Sequence, residues 1–203
     1  MAQPMSPSEI TPITSGQIAK FLDLLTAGLR KSGLPSEPTQ LVLETQGDAL
    51  VTEFVGSVRK RVDAISEMIV RHVTVNRNLT PQDTLDATGR KQYTDRNVVK
   101  GVPRGEGAEV AVCFFKLGRY ASPAEVDEAY KLRGLTPDPI AQAKVNTDDP
   151  AFADEHPNGT QWQDADGKWC FATFSRWSDK RMVNVHRSGD DWNDHWWFAG
   201  VRK

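Results

Sequence analysis

Residues 160–203 read TQWQDADGKWCFATFSRWSDKRMVNVHRSGDDWNDHWWFAGVRK, and this stretch decides the fold. It contains all six tryptophans of the chain. Asp166-Gly167 is the strongest hairpin signal, because glycine enters the positive-φ turn that lets two strands double back. The turn joins a strand over 160–163 to one over 169–176. Ser178-Asp179-Lys180 turns the chain again into a strand over 181–187, and a last strand over 196–202 closes the sheet. Side chains alternate across a strand. Trp197, Ala199 and Val201 therefore share one face, and Trp196 and Phe198 take the other. Between the last two strands lies the polar loop 188–195, with Gly189 for turning and Trp192 as its one large apolar residue.

Upstream, Glu109–Leu117 is a strand apolar on both faces, which suits a covered, central position. Ser122-Pro123-Ala124-Glu125 is a capping box with proline in the first turn. The helix it opens runs to about Arg133 and ends at Gly134. A second short helix follows over 140–145, then an acidic loop over 148–158. Residues 90–109 are polar and glycine-containing and read as a linker, with a domain boundary near 100–108. The segment 101–107, GVPRGEG, lacks the GK[ST] ending of a phosphate loop.

The N-terminal part reads as helical. Ser15 caps a helix through Lys31, with Ile18, Phe21, Leu22, Leu25 and Leu29 at helical spacing. A longer helix is expected over Gly47–His72, with Leu50, Phe54, Val58, Val62, Ile65 and Ile69 as its stripe and His72 at its C-terminal end. Arg59-Lys60-Arg61 reads as a solvated face, flanked by Glu53, Asp63 and Glu67. Thr80-Pro81-Gln82-Asp83 starts a short helix that ends near Gly89. Residues 1–14 read as a flexible tail. The two long helices are expected to pack as an antiparallel pair and offer a route to homo-oligomers.

The chain has 203 residues and a net charge of −2, which gives no electrostatic case for nucleic acid. No apolar run reaches the ~18 residues of a membrane span, and residues 1–16 lack the pattern of a signal peptide, so cytoplasmic residence is expected. The two cysteines, Cys113 and Cys170, sit in apolar strand-like runs and read as buried free thiols. A bridge between them requires neighbouring strands. His186, Asp190, Asp191 and His195 follow no standard metal-site spacing, and neither a metal nor another cofactor is expected. No sequence signature of a nucleophile with its base appears.

The order strand, two helices, four strands, with the chain ending in a strand, resembles the C-type-lectin-like fold. That resemblance implies pairing of the domain's first and last strands, here 110–117 with 196–202. The ending WWFAGVRK is similar to the last strand of bacterial members, including variable proteins of diversity-generating retroelements. It is also similar to uncharacterised multi-copy proteins of candidate-phyla bacteria. In the retroelement proteins, variable positions crowd the last strands and the loop before the final one. Asn184, His186, Ser188, Asp190, Asp191, Asn193, Asp194 and His195 are all reachable from adenine-rich codons. Trp192-Asn193-Asp194 matches a calcium-ligand triplet of sugar-binding C-type lectins, but its usual partner is met only by the imperfect Glu155-His156-Pro157-Asn158. A loop turn is the expected role.

The sequence thus predicts an α+β protein. A helical region and linker over 15–104 precede a C-type-lectin-like domain over 105–203 with a small, mainly antiparallel sheet. The expected function is non-catalytic binding of a protein or small ligand. The expected surface comprises Arg176, Asn184, His186, Ser188, Asp190, Asp191, Trp192, Asn193, His195 and Trp196. Arg181 and Arg187 are further candidate anchors. Trp169, Trp177 and Trp197 are expected in the core, and Trp192 and Trp196 exposed. The alternatives are an enzyme resembling the formylglycine-generating oxidases, which use a cysteine pair, and a structural or assembly protein.

Overall fold

A computed structural model describes residues 12–202. The expected tail falls largely on residues 1–11, outside the described residues. The chain divides into two compact units, one ending at Gly56 and the other beginning at Ser57.

The first unit holds α1 (Ser15–Lys31) and most of α2 (Ser36–Ser66). Thr14, not Ser15, caps α1: its side chain accepts from the Gln17 N–H, and the Gln17 side chain caps back. Gly33, at φ +66°, lies in the connection that turns the chain into α2. The two helices meet at Phe21 and Phe54, whose ring centroids are 4.8 Å apart.

Helix α2 starts earlier and ends earlier than its apolar spacing suggests. Ile69 and His72 belong instead to β1 (Ile69–Thr74), so His72 caps no helix. The IVRHVT run is rich in β-branched residues and alternates in burial, and it pairs antiparallel with β3 (Glu109–Lys116). Helix α3 (Pro81–Ala87) has the expected Thr80–Asp83 capping box. The expected linker over 90–109 is ordered: β2 (Lys91–Thr94) pairs parallel with β7 (Lys180–Arg187), and α4 (Arg96–Lys100) follows. The second unit therefore begins some fifty residues before position 105, because two of its strands lie there.

The remaining elements are α5 (Pro123–Arg133), β4 (Leu135–Pro137), α6 (Pro139–Asp148), α7 (Phe152–Glu155), β5 (Asn158–Gln163), β6 (Trp169–Trp177) and β8 (Trp197–Arg202). The sheet has eight strands in the order β1-β3-β8-β5-β6-β7-β2, with β4 paired to β8. It is larger than the small sheet expected, and mixed: β5–β8 and β2–β7 are parallel, the other pairs antiparallel. The pairing of strand 109–116 with the last strand holds, with Phe114 opposite Ala199 and Phe115 opposite Phe198.

Each sheet face has its own core. On one, α3, α4, α6 and α7 cover the sheet through residues such as Leu85, Val98, Ile140 and Phe152, packed with Phe114, Ala172, Phe174, Val183 and Ala199. On the other, α5 packs Val126, Ala129 and Tyr130 against Cys113, Phe115 and Phe198. Trp197 and Val201 pack toward the first core and Trp196 toward the second, as strand alternation requires. Tyr130 donates to the Ala199 carbonyl at 2.8 Å, and its ring edge lies where a Cβ on Gly200 would be only 2.9 Å away. The glycine-rich 101–107 segment is no anion cradle: the carbonyls of Arg104, Glu106 and Gly107 all accept from the Arg77 guanidinium, which also pairs with buried Asp138 at 2.7 Å.

Candidate functional site

The α5 side of the sheet is covered over β3 and β8 but bare over β6 and β7. Cys170, Ala172 and Phe174 of β6 and Val183 and Val185 of β7 face the four-helix side. Alternation sends Phe171, Thr173 and Ser175, with Asn184 and His186, to the other. Register sets Phe171 beside His186 and Thr173 beside Asn184. Gln161 and Gly159 of β5 lie opposite the same two β6 residues. Apart from Gly159, these positions form the floor of an open concavity of about 340 Å³.

Its wall is the loop before β8, fixed by Trp192. The Trp192 N–H donates to the Ala121 carbonyl at 2.8 Å, and the Ala121 N–H donates back at 3.0 Å. The indole Nε1–H donates to Gln161 Oε1 at 2.8 Å, and Gln161 Nε2 donates to the Pro123 carbonyl at 2.6 Å. Gln161 is 2% exposed, so both ends of its amide are satisfied inside the protein. The ring lies over Gly159, where a Cβ would meet it at 2.8 Å. Phe198, Trp196 and Phe171 meet Trp192 edge-on at centroid distances of 5.1, 5.7 and 5.9 Å. Trp192, expected to be exposed, is therefore a half-buried pillar, with its polar edge hydrogen-bonded and its apolar faces packed.

Of the ten sequence-predicted residues, Asn184, His186, Ser188, Asp190, Asp191, Trp192, Asn193 and Trp196 line this one concavity. Ser188 donates to Asp190 Oδ2 at 2.7 Å and accepts from the Asp190 N–H at 3.0 Å, which curls the loop back on itself. Trp196 is half-buried rather than fully exposed, with His195 leaning on it at 5.0 Å. His195 itself does not line the concavity, and neither does Arg176.

Arg176 shares the parity of Phe174 and so lies on the opposite face. It pairs there with Asp154 of α7 at 3.3 Å, alongside Arg181 at 2.7 Å. The Arg181 hydrogen bond, with Arg176 nearby, holds the Asp154 carboxyl below its ordinary range. Arg187 shares the parity of Val185 and binds Asp164 at 2.7 Å, lowering that carboxyl too. Asp164 also accepts the Asp166 and Lys168 N–H groups, so the ion pair ties β7 to the 164–168 turn.

Gln161, Trp169, Cys170, Phe171, Thr173 and Ser175 also line the concavity and were not among the expected residues. The period-2 pattern of β6, with the register fixed by the Asp166-Gly167 turn, contained the signal for the β6 members. Trp169 is half-buried here rather than in the core. Trp177, also expected in the core, is 77% exposed at the tip of the β6–β7 hairpin, next to Ser178 at φ +55°.

Two chemical possibilities meet specific obstacles. Cys113 and Cys170 are both free and buried, on strands separated by β8 and β5. Burial raises both thiols, against the thiolate a nucleophile needs. Asn158, the amide of the calcium-lectin-like stretch, is fully buried: it accepts from Gln142 and Asn146 at 2.9 Å each and donates to the His156 carbonyl. It is therefore not free to join Trp192-Asn193-Asp194 around an ion. Among the described residues no cluster of three or more His, Cys, Asp or Glu has metal-site geometry, and no helix is long and apolar enough to cross a membrane.

Compared with known protein families, curated proteins and solved structures, the chain matches none.

Proposed function

We propose that this is a non-catalytic binding protein that receives a partner in the concavity beneath loop 188–196. The observation that carries the proposal is a division of labour among neighbouring side chains. Trp192, Gln161 and Gly159 hold the wall to the floor. Asn184, His186, Asp190, Asp191 and Asn193 line the space without belonging to either core cluster. Polar groups on a braced scaffold are what recognition uses, because little entropy is lost when they bind.

The lining chemistry selects the partner class. Trp169, Phe171 and Trp196 offer aromatic surface, Asp190 and Asp191 offer carboxylates, and among the described residues no Lys or Arg lines the space. Aromatic faces and carboxylates together suit a cation. The partner is accordingly a protein or peptide presenting a Lys or Arg side chain. The unit is best read as a C-type-lectin-like domain of the kind found in retroelement-diversified variable proteins. The pairing of β3 with the terminal strand and the position of loop 188–195 beside it support that reading.

The test is panning a random peptide library on the immobilised protein. Enrichment of basic peptides is expected. The enrichment should disappear with Asp190→Asn/Asp191→Asn and weaken with Trp196→Ala. Recovery of the same peptides by the double variant places recognition elsewhere.

A further inference from the structure

The open side of the sheet does not stop at the concavity. Strand register carries it on in rows that cross β6, β7 and β2. Phe171 beside His186, and Thr173 beside Asn184, belong to the concavity, and Tyr93 of β2 extends the second of these rows. The next row is Ser175, Met182 and Lys91, and the last is Trp177 and Lys180 at the hairpin tip. Parity fixes the face of the β2 members. Gln92, in register with Val183, bonds to Gln82 of α3 at 2.9 Å on the four-helix side, so Lys91 and Tyr93 take the open side. Tyr93 is 41% and Trp177 77% exposed, and both lysines are exposed.

The two ends of this face carry opposite charge. Asp190 and Asp191 stand at the loop wall. At the other end, a hollow of about 520 Å³ between Gly89 and the hairpin tip is lined by Lys91, Arg176, Lys180 and Arg181, with Asp179 beside them. Asp154 holds both arginines. Neither lysine has an ion-pair partner among the described residues. The Lys91 ammonium lies over the Tyr93 ring, 5.0 Å from its centre. Between the charged ends lie Tyr93, Met182 and Asn184, a strip of aromatic, thioether and amide.

An extended peptide turns every second side chain the same way, which is the step of the rows along β7. From His186, Met182 is four residues away and Lys180 six. We propose that the bound segment of the partner is an extended peptide of mixed charge lying across the β6–β7–β2 face. Its Lys or Arg occupies the concavity, and an Asp or Glu four to six residues away meets Lys91 and Lys180. The inference rests on the reading of the concavity as the seat of a basic side chain. A nucleic-acid strand suits the lysine end but is repelled by the carboxylates at the other, whereas a peptide with both charges complements both ends.

The peptides that the wild-type protein enriches from a random library test this. Beside the basic residue they should carry an acidic one four to six positions away, in excess over the input library. Lys91→Gln/Lys180→Gln should keep the basic enrichment, since Asp190 and Asp191 are untouched, and lose the acidic one. For one selected peptide, this variant should weaken binding about fivefold, the scale of exposed ion pairs. An amide in place of the peptide's carboxylate should cost the same, and the two changes together no more than either alone. Basic peptides without an acidic preference, or a preference that survives the loss of both lysines, overturn the inference and leave the reading of the concavity standing. Without basic enrichment both fall. Binding of oligouridylate or of phosphatidylserine vesicles that the double lysine variant loses would give the lysines another partner and overturns the inference.

Discussion

The β3–β8 pair and the β6–β7 pair belong to one sheet, yet their side chains have different fates. In β3, Val112, Cys113, Phe114 and Phe115 are all buried, and in β8 so are Phe198 and Ala199, because helices pack on both faces there. In β7 burial alternates, and in β6 it does so apart from Thr173, which is buried beside Gly159: Ala172, Phe174, Val183 and Val185 are buried, while Phe171, Ser175, Asn184 and His186 are partly open. The difference lies in cover rather than in strand character. Helix α5 covers one end of its face and leaves the other end uncovered.

The comparison is sharpest where covered and open regions meet. Phe198 is 1% exposed and packs against Phe115 and Trp192. Phe198→Ala should cost about 3–5 kcal/mol, read as a lower denaturant midpoint, because it opens a cavity in the two-sided region. A loss below 1 kcal/mol would mean that this face is not a packed core.

Gly159→Ala acts at the junction. The added Cβ collides with the Trp192 ring and with the Thr173 methyl, 3.2 Å away. A destabilisation of about 1–3 kcal/mol is expected, together with a red-shifted tryptophan emission as the indole is displaced. Unchanged emission would place Trp192 elsewhere.

Acid should loosen the outer pair by a smaller amount. The folded Asp154 carboxyl is depressed by Arg181 and Arg176, so its contribution is present at neutral pH and fades as pH falls below about 4. Asp154→Asn should therefore lower the melting temperature at pH 7 and flatten the acid limb of the stability profile. Parallel profiles for the two proteins would remove the ion pair from the account.

The smallest effect belongs to the loop. Replacing Asp190, Asp191, Asn193 and His195 together by alanine should leave the melting temperature nearly unchanged, since exposed side chains contribute within about 0.5 kcal/mol each. A loss comparable to that of Phe198→Ala would make these residues structural and undercut the proposed binding face.

The sequence by itself determined the local elements whose signals are local. Capping boxes at Thr80 and Ser122, the Asp166-Gly167 turn and the two-faced apolar strands β3 and β8 were all legible, because caps, turns and alternation depend on near neighbours. Eight of the ten chosen residues share one concavity, and five of them lie on loop 188–195, where a polar run between apolar strands marks itself. Tertiary structure decided the rest. Ile69–Thr74 and Lys91–Thr94 pair with β3 and β7, and although IVRHVT is itself β-branched, neither run records which distant strand it joins. Arg176 and Arg187 left the site because strand parity turned them toward Asp154 and Asp164, acids 22 and 23 residues away. Trp192 became a pillar because Gly159 and Gln161, on a strand it never pairs with, left room for its ring and accepted its N–H. Each of these outcomes depends on which distant segment lies alongside, and that is fixed only when the sheet closes.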